Sequence, residues 1–500
     1  VAGSGGVAVG GALAANVITN RVSTEISDAD VLTSLGGISL DAASEAIIRT
    51  LSVGVSGSGA VAVQVSAMGN VITNETSSKI LRSTVQAGSN ILLDAEDRAP
   101  SAAPIDWILD MLPSDDAGDG MKDAVNDSTA DTLIDPNTNI LSLMVSVAGT
   151  GGVAVNGAFV GNVISNSITT EVDASSVIST NGNIIQDAQS KAGIVGLTVG
   201  VAASGAVAVN ATGYGNVITN SVSSTVSGGA LLRSVDGTGG NIALSASDSS
   251  MIRSGGISIA GTGGVAVGAL IGANVITNSV ESRVAGSTLD SNGTLGLTAT
   301  NNSDILGISL GVAGSGAGAG VLSLTGNVIA NTTSAKITGQ GSTDSDIDAG
   351  GAISLTATDS SEINTIAIGV SASGGGALGA ALAANVIANT IETEISDSSV
   401  DSGATLALTS HSEAIIRSLG IGVSGAGGLA VQLTAMGNFI VNNTSALIAN
   451  STVNTLGNVT LLADDLAPTT NLLSTIIDKF VPDNDGDGSA DADVPDGEST

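Results

Sequence analysis

The chain has 500 residues, 68 of them Gly and none Cys, and Phe, Trp and Tyr together make up 1%, so an aromatic core, a disulfide framework and a thiolate metal site are all excluded. Lys and Arg number 13 against 46 Asp and Glu, and a formal charge of −33 argues against nucleic acid or an anionic lipid surface as a partner. Hydrophobic residues at 42% and a mean hydropathy of +0.42 exclude a solvated coil. The apolar side chains are Val, Ile, Leu and Ala set among Gly, Ser and Thr, a mixture that predicts strand. Every Val-rich run is interrupted before it could form a membrane-spanning helix, so no membrane insertion is expected.

Along the chain, a Gly-rich run, a Val-rich segment and an Asn-Val-Ile-x-Asn phrase or close variant recur eight times. The first Asn of each copy is Asn16, Asn70, Asn162, Asn216, Asn274, Asn327, Asn385 and Asn438, with spacings of 54, 92, 54, 58, 53, 58 and 53. Within one unit, Leu51, Val53 and Val55 alternate with Ser52 and Gly54. A Ser56-Gly57-Ser58-Gly59 turn follows, and Val61, Val63 and Val65 then alternate with smaller residues. A second phrase, a Gly turn and a short alternating strand, appears as Gly36–Ala42, Gly88–Ala95, Gly240–Ala246, Gly351–Ala357 and Gly457–Ala463.

The one long spacing marks an acidic, Pro-containing insert with a short helical pattern. A longer repeat is superimposed, because Ser44-Glu45-Ala46-Ile47-Ile48-Arg49 returns 368 residues later as Ser412-Glu413-Ala414-Ile415-Ile416-Arg417, and a second insert follows it. The expected organisation is repeats over 1–97, an insert over 98–140, repeats over 141–466 and a second insert over 467–500. Both ends read as cuts through a longer tandem array.

Short strands that return on a fixed beat cannot bury their apolar stripes alone, and stacking them gives an all-β parallel solenoid. With coils of roughly 18 residues, each unit would make about three coils and eight units a rod of about 100 Å. The alternation also permits a stack of β-hairpins turned at the Gly-Ser-Gly runs. Inward Gly and Ala suit a narrow cross-section.

Units that pair Val-Ala-Val after Gly-Ser-Gly with Asn-Val-Ile-x-Asn and Gly-Asn-Ile-x-Leu-x-Ala resemble the repeats of giant bacterial haemagglutinin-like and filamentous adhesins. The resemblance covers nearly all of the chain outside the inserts. It implies secretion, a bacterial cell-surface or extracellular location, and a role in adhesion or filament building, with neighbouring modules or like chains as partners and surface glycans as further candidates.

One phrase carries metal chemistry. Asp483-Asn484-Asp485-Gly486-Asp487-Gly488 places oxygen ligands at alternate positions around a tight turn, with Asp491 and Asp493 able to close the sphere around Ca2+. Val494 stands where an EF-hand would supply a bidentate Glu. The first insert offers a sparser version in Asp115, Asp119 and Asp123, with Ala117 where an acid would be needed. The bland alternative for both is a solvated acidic linker. The apolar run around Trp107, Ile108 and Leu112 is expected to dock on its own shaft.

The paired Asn residues could form a sugar-binding row but are expected to satisfy backbone groups instead. His411, the single His, has no second base beside it in sequence, and the Gly runs lack the Gly-Lys-Ser or Gly-Lys-Thr of a phosphate loop, so no catalytic residue is named and no enzyme is expected. The leading function is a stalk or filament-forming scaffold. A carbohydrate-binding β-helix and a silk-like or amyloid-like matrix are the alternatives.

Overall fold

A computed structural model describes residues 1–98, 100, 138–235 and 240–466. These residues form strands joined by turns, with no helix among them, and the strands assemble into three parallel sheets. The fold is the expected parallel solenoid. Its coil, however, is far larger than 18 residues, because one whole 53- to 58-residue unit makes a single turn. Ile242–Thr262 pairs residue by residue with Leu295–Ser315, and Val265–Ile276 pairs likewise with Gly318–Ile329. The predicted three coils per unit are therefore one. At about 4.8 Å per coil, eight units stack to roughly 40 Å, not 100 Å.

Each coil has three walls. Wall A is a strand such as Ile242–Thr262; wall B runs back as Val265–Ile276 and Ser279–Ala285; wall C is the short Thr288–Ser291. A and B meet at a Gly-rich tip, and C closes the opposite end, the base. The long walls, at 21 residues, reach about 70 Å. The segments on either side of the Gly-rich turn lie in different sheets and bond to neighbouring coils, so the hairpin stack is ruled out.

Base and tip are filled differently. At the base, Leu244, Val284, Leu289, Leu295 and Leu297 join their equivalents from other coils in a fully buried apolar cluster. Further along lies a column of paired isoleucines, among them Ile218, Ile252, Ile276 and Ile305. Beyond it the walls close on small and polar residues with a few larger ones such as Met144 and Leu270 among them, ending in a column of alanines that includes Ala202, Ala208, Ala260 and Ala266.

The turns repeat as faithfully as the strands. At the corner between B and C, the first residue after wall B adopts a left-handed conformation in seven of the eight coils: Asp28, Arg82, Ala174, Gly228, Gly286, Asp397 and Asn450. At the tip, stacking leaves no room for a side chain. A Cβ on Gly205 would sit 2.2 Å from the Gly151 carbonyl oxygen, and one on Gly316 would sit 2.2 Å from that of Gly263.

Differences in unit length are absorbed where they do not disturb register. The extra residues of the 58-residue units fall in the connections on either side of the wall-C strand Leu231–Ser234 in one and before Ser345–Ala349 in another. The first insert leaves wall A after Asp97, and the chain rejoins the same wall at Ile140, with Ile48–Ser58 pairing directly to Ile140–Thr150. All seven prolines lie between 100 and 136 or between 468 and 495, so none interrupts a ladder of amide donors.

Candidate functional site

The tip half of the blade inverts the usual polarity of a sheet protein. Inside it, Asn side chains form one continuous ladder through all eight units. Asn16 Nδ2 donates to Asn70 Oδ1 at 2.8 Å, Asn70 to Asn162 at 2.9 Å, Asn162 to Asn216 at 2.8 Å and Asn216 to Asn274 at 2.9 Å. The ladder continues from Asn274 to Asn327 at 2.7 Å, to Asn385 at 2.8 Å and to Asn438 at 2.9 Å. From Asn70 to Asn385 these residues are fully buried, which removes them from a sugar-binding role. They satisfy one another and adjacent Ser and Thr hydroxyls, so the expectation that the Asn pairs are structural holds, with side-chain amides as the main partners.

The second Asn of each phrase does a different job. Asn220 Oδ1 accepts from the backbone N–H of Asn166 at 3.1 Å, and Asn278 Oδ1 accepts from that of Asn220 at 3.0 Å. Their Nδ2 groups converge on a buried carboxylate. Asn220 donates to one oxygen of Asp248 at 2.9 Å and Asn278 to the other at 2.6 Å. Asp97 is held in the same way by Asn74 and Asn166, and Asp359 by Asn331 and Asn389. Each Asp thus clamps two successive coils.

The column that holds these acids reads Ser44, Asp97, Ser190, Asp248, Asn301, Asp359, Ser412, Asp465, so an Asp occurs only on every second coil. Carboxylates are thereby kept about 10 Å apart in place of about 5 Å. Burial still pushes Asp97 up to about 7, against the donors Asn74 and Ser44 that lower it, and pushes Asp248 and Asp359 up to about 6. Sequence reading missed this layer. The signal lies two residues past the second phrase, in Ala95-Glu96-Asp97, Ala246-Ser247-Asp248, Ala357-Thr358-Asp359 and Ala463-Asp464-Asp465.

Nearer the tip, bulk on one wall is met by glycine on the other. Gln64 lies where a Cβ on Gly54 would be, 2.1 Å from its Nε2, and Asn210 and Thr212 face Gly200, Leu270 faces Gly256 and Val321 faces Gly311 in the same manner. The walls lie close enough that most large inward residues face a glycine, and Met68 and Met144 are an exception that meets across the gap. On wall A most of the large residues point outward.

On wall A those outward residues form a grid of three columns. The middle one is Val53, Val145, Val199, Ile257, Leu310, Ile368 and Ile421, flanked by the columns of Leu197 and Val201. Val53 is 53% exposed, and Leu197 and Ile259 are each 37% exposed. The only small residue in the grid is Gly255. Wall B carries a sparser set in which Phe159, Val265, Val267 and Ile271 alternate with Gly and Ala. No charged residue occurs in Thr50–Asn74, Ser254–Val280, Ile305–Ala335 or Ile363–Ile391, the stretches that build the tip half.

Among the described residues, surface charge is confined to the base and its boundary with the tip. Lys79 pairs with Glu171 at 2.9 Å and Arg233 with Asp290 at 2.8 Å, each between adjacent coils, and Arg253 with Asp304 and Arg417 with Glu362 edge the apolar grid. His411 is a partner in such a contact, its Nδ1 2.7 Å from Asp464 Oδ1. A shallow trough lined by Thr73, Ser165, Thr219, Ser221, Thr277 and Ser279 follows the bend in wall B, with no aromatic ring to stack on a sugar.

The acids expected to hold Ca2+, namely Asp483, Asp485, Asp487, Asp491, Asp493, Asp115, Asp119 and Asp123, lie outside the described residues, as do Trp107, Ile108 and Leu112. Among the described residues, no cluster of three or more His, Asp or Glu side chains could hold a metal, and no helix is long and apolar enough to cross a membrane. Searches with the sequence and the fold found no matching family model, curated protein or solved structure.

Proposed function

We propose that this chain is a mechanical scaffold, a stalk or filament-forming segment of an extracellular bacterial surface protein, and that it is not an enzyme. The observation that carries this reading is the unbroken residue-by-residue register of all eight units, in which each unit adds one coil of the same cross-section. A structure of that kind gains length by repetition alone and transmits tension through parallel hydrogen-bond ladders and the Asn ladder beside them. The acidic inserts, the first leaving wall A after Asp97 and the second following Leu466 of the same wall, are the proposed Ca2+-binding decorations of that shaft, through Asp483, Asp485, Asp487, Asp491 and Asp493 above all. The resemblance to filamentous adhesin repeats supports the surface location.

Electron microscopy and small-angle scattering test the reading directly. Inserting a second copy of residues 44–411, which spans six coils, lengthens the blade by roughly 30 Å at constant width. A compact globule whose radius grows in all directions would refute the scaffold. Dimensions unchanged by a calcium chelator would remove the cation from the proposal and leave the shaft.

A further inference from the structure

We infer that the wall-A grid is a pairing face for a second copy of this chain, so that two blades overlap tip half on tip half. This deepens the scaffold reading and rests on it, since it supplies the lateral contact that turns single shafts into a bundle. The grid is regular along both directions. Seven rungs at about 4.8 Å and three outward columns at about 6.7 Å cover roughly 700 Å². That is close to the roughly 800 Å² each partner contributes to a standard stable interface, and it grows with every coil added. Isolated exposed apolar residues are ordinary, but a contiguous patch of this size on a soluble face marks an interaction site.

The charge distribution selects the partner. Two copies of a chain of net charge −33 repel each other, and among the described residues the tip half is the region that carries no charge. A two-fold axis parallel to the solenoid axis lays one grid on the other with strands antiparallel, keeps the rungs of both copies in the same spacing, and sends the charged bases to opposite ends. Columns of Val, Ile and Leu on one copy then fit the grooves between columns on the other, as in any pair of sheets packed face to face. A bilayer surface is the poorer fit. The edge of the grid carries no interfacial Trp or Tyr among the described residues, Tyr214 being turned inward, and its Arg253 and Arg417 are already paired with carboxylates.

Sedimentation velocity on the full chain at tens of micromolar should give twice the 48.0 kDa chain mass. The double variant Val199→Glu with Leu310→Glu, two outward positions separated by one rung, should return it to the single mass while its circular dichroism spectrum matches the parent and its melting curve matches that of the parent at concentrations too low for association. Should that variant misfold, the triple variant Val145→Thr, Val199→Thr and Leu310→Thr keeps a strand-favouring surface and should weaken dimerisation at least tenfold. Thr298→Glu with Thr356→Glu, on the outer face of the base, should leave the dimer intact. A parent that stays single at this concentration, or a dimer that survives both grid variants, overturns the pairing. So does a monomeric parent that floats with phosphatidylcholine vesicles when the Glu variant does not, because the grid is then a lipid face. Single blades in the microscope would refute pairing alone, whereas compact globules would refute the scaffold beneath it.

Discussion

The strand Leu295–Ser315 crosses both halves of the blade, and its leucines change sides on the way. Leu295 and Leu297 point inward and are fully buried at the base, whereas Leu310, further along the same strand, points outward on the tip half. The alternation is the same in both places, and what differs is the gap between the walls. Where wall C holds A and B apart, large apolar side chains fill the space. Where the walls converge, Ala, Gly, Ser and hydrogen-bonded Asn fill most of the gap, larger inward residues such as Leu270 and Val321 face a glycine, and most of wall A's Val, Ile and Leu side chains are displaced to the surface. The base is a hydrophobic core of the ordinary kind, and the tip is held by ladders that run along the solenoid axis.

The sharpest way to break that contrast uses one residue type on one strand. Leu297→Ala should cost about 2–5 kcal/mol in a urea titration, because it removes buried methyl groups and leaves a cavity. Leu310→Ala should cost less than about 1 kcal/mol when measured at protein concentrations too low for association. Equal losses at the two positions would mean that the tip face is not open in the isolated chain.

This inversion also explains what the sequence made legible. The repeat and its boundaries follow from the Asn phrases and the Gly runs, and parallel stacking follows from the need to bury short apolar stripes. The coil length did not follow, because stretches such as Ser250–Ala260 interleave Ser, Gly and Ile in a way that suggests several short strands between turns. In the folded chain both glycines lie inside one long strand, Gly256 opposite Leu270 and Tyr214 on the other wall and Gly255 facing outward beside Leu197 of the neighbouring coil. An ordinary reading assigns β-branched residues to the interior and assumes a gap wide enough to receive them. Width is a tertiary quantity, set here by wall C, whose four- or five-residue strands are the least conspicuous part of each unit. The buried Asp layer escaped for another reason, since an acid on every second unit looks like scatter until the two-coil alternation is laid out.

That Asp layer sits at the boundary of the two halves and gives the second test. Asp248 titrates at about 6 in the folded chain against an ordinary 3.8, so between those pH values the native state binds more protons than the unfolded one. Stability is therefore greatest below the ordinary value and is lost as the pH rises through about 6, and Asp97 extends the window to about 7. The contribution across the window is roughly 3 kcal/mol for Asp248 and roughly 4 kcal/mol for Asp97. The groups facing Asp248 are Asn220, Asn278, Ser190 and Ser250, all uncharged, with Asp359 the acid that raises it further. Self-repulsion of the surface acids slopes in the same direction, so the informative quantity is a difference: urea midpoints between pH 4 and pH 7.5 should fall less steeply for Asp248→Asn than for the parent. Parallel slopes would show that the carboxylate is hydrated and that the boundary between base and tip is wet.

The smallest effect asks whether the tip interior is held by its side chains at all. Asn216→Ala removes the acceptor of Asn162 and the donor of Asn274, and leaves both groups buried between walls that have no slack to rearrange. The expected loss is about 1–3 kcal/mol. Because the tip is tied to the base only through strands that pass the isoleucine column, the loss should appear first as faster amide hydrogen exchange in Val207–Ile218 and its paired strands Val153–Ile164 and Val265–Ile276, with Leu244 and Leu297 still protected. Unchanged exchange would mean that backbone pairing alone secures the tip and that the Asn ladder sets only the register of the coils. Faster exchange spreading to the base would mean that the two halves unfold as one, and that the difference in their interiors has no counterpart in how they come apart.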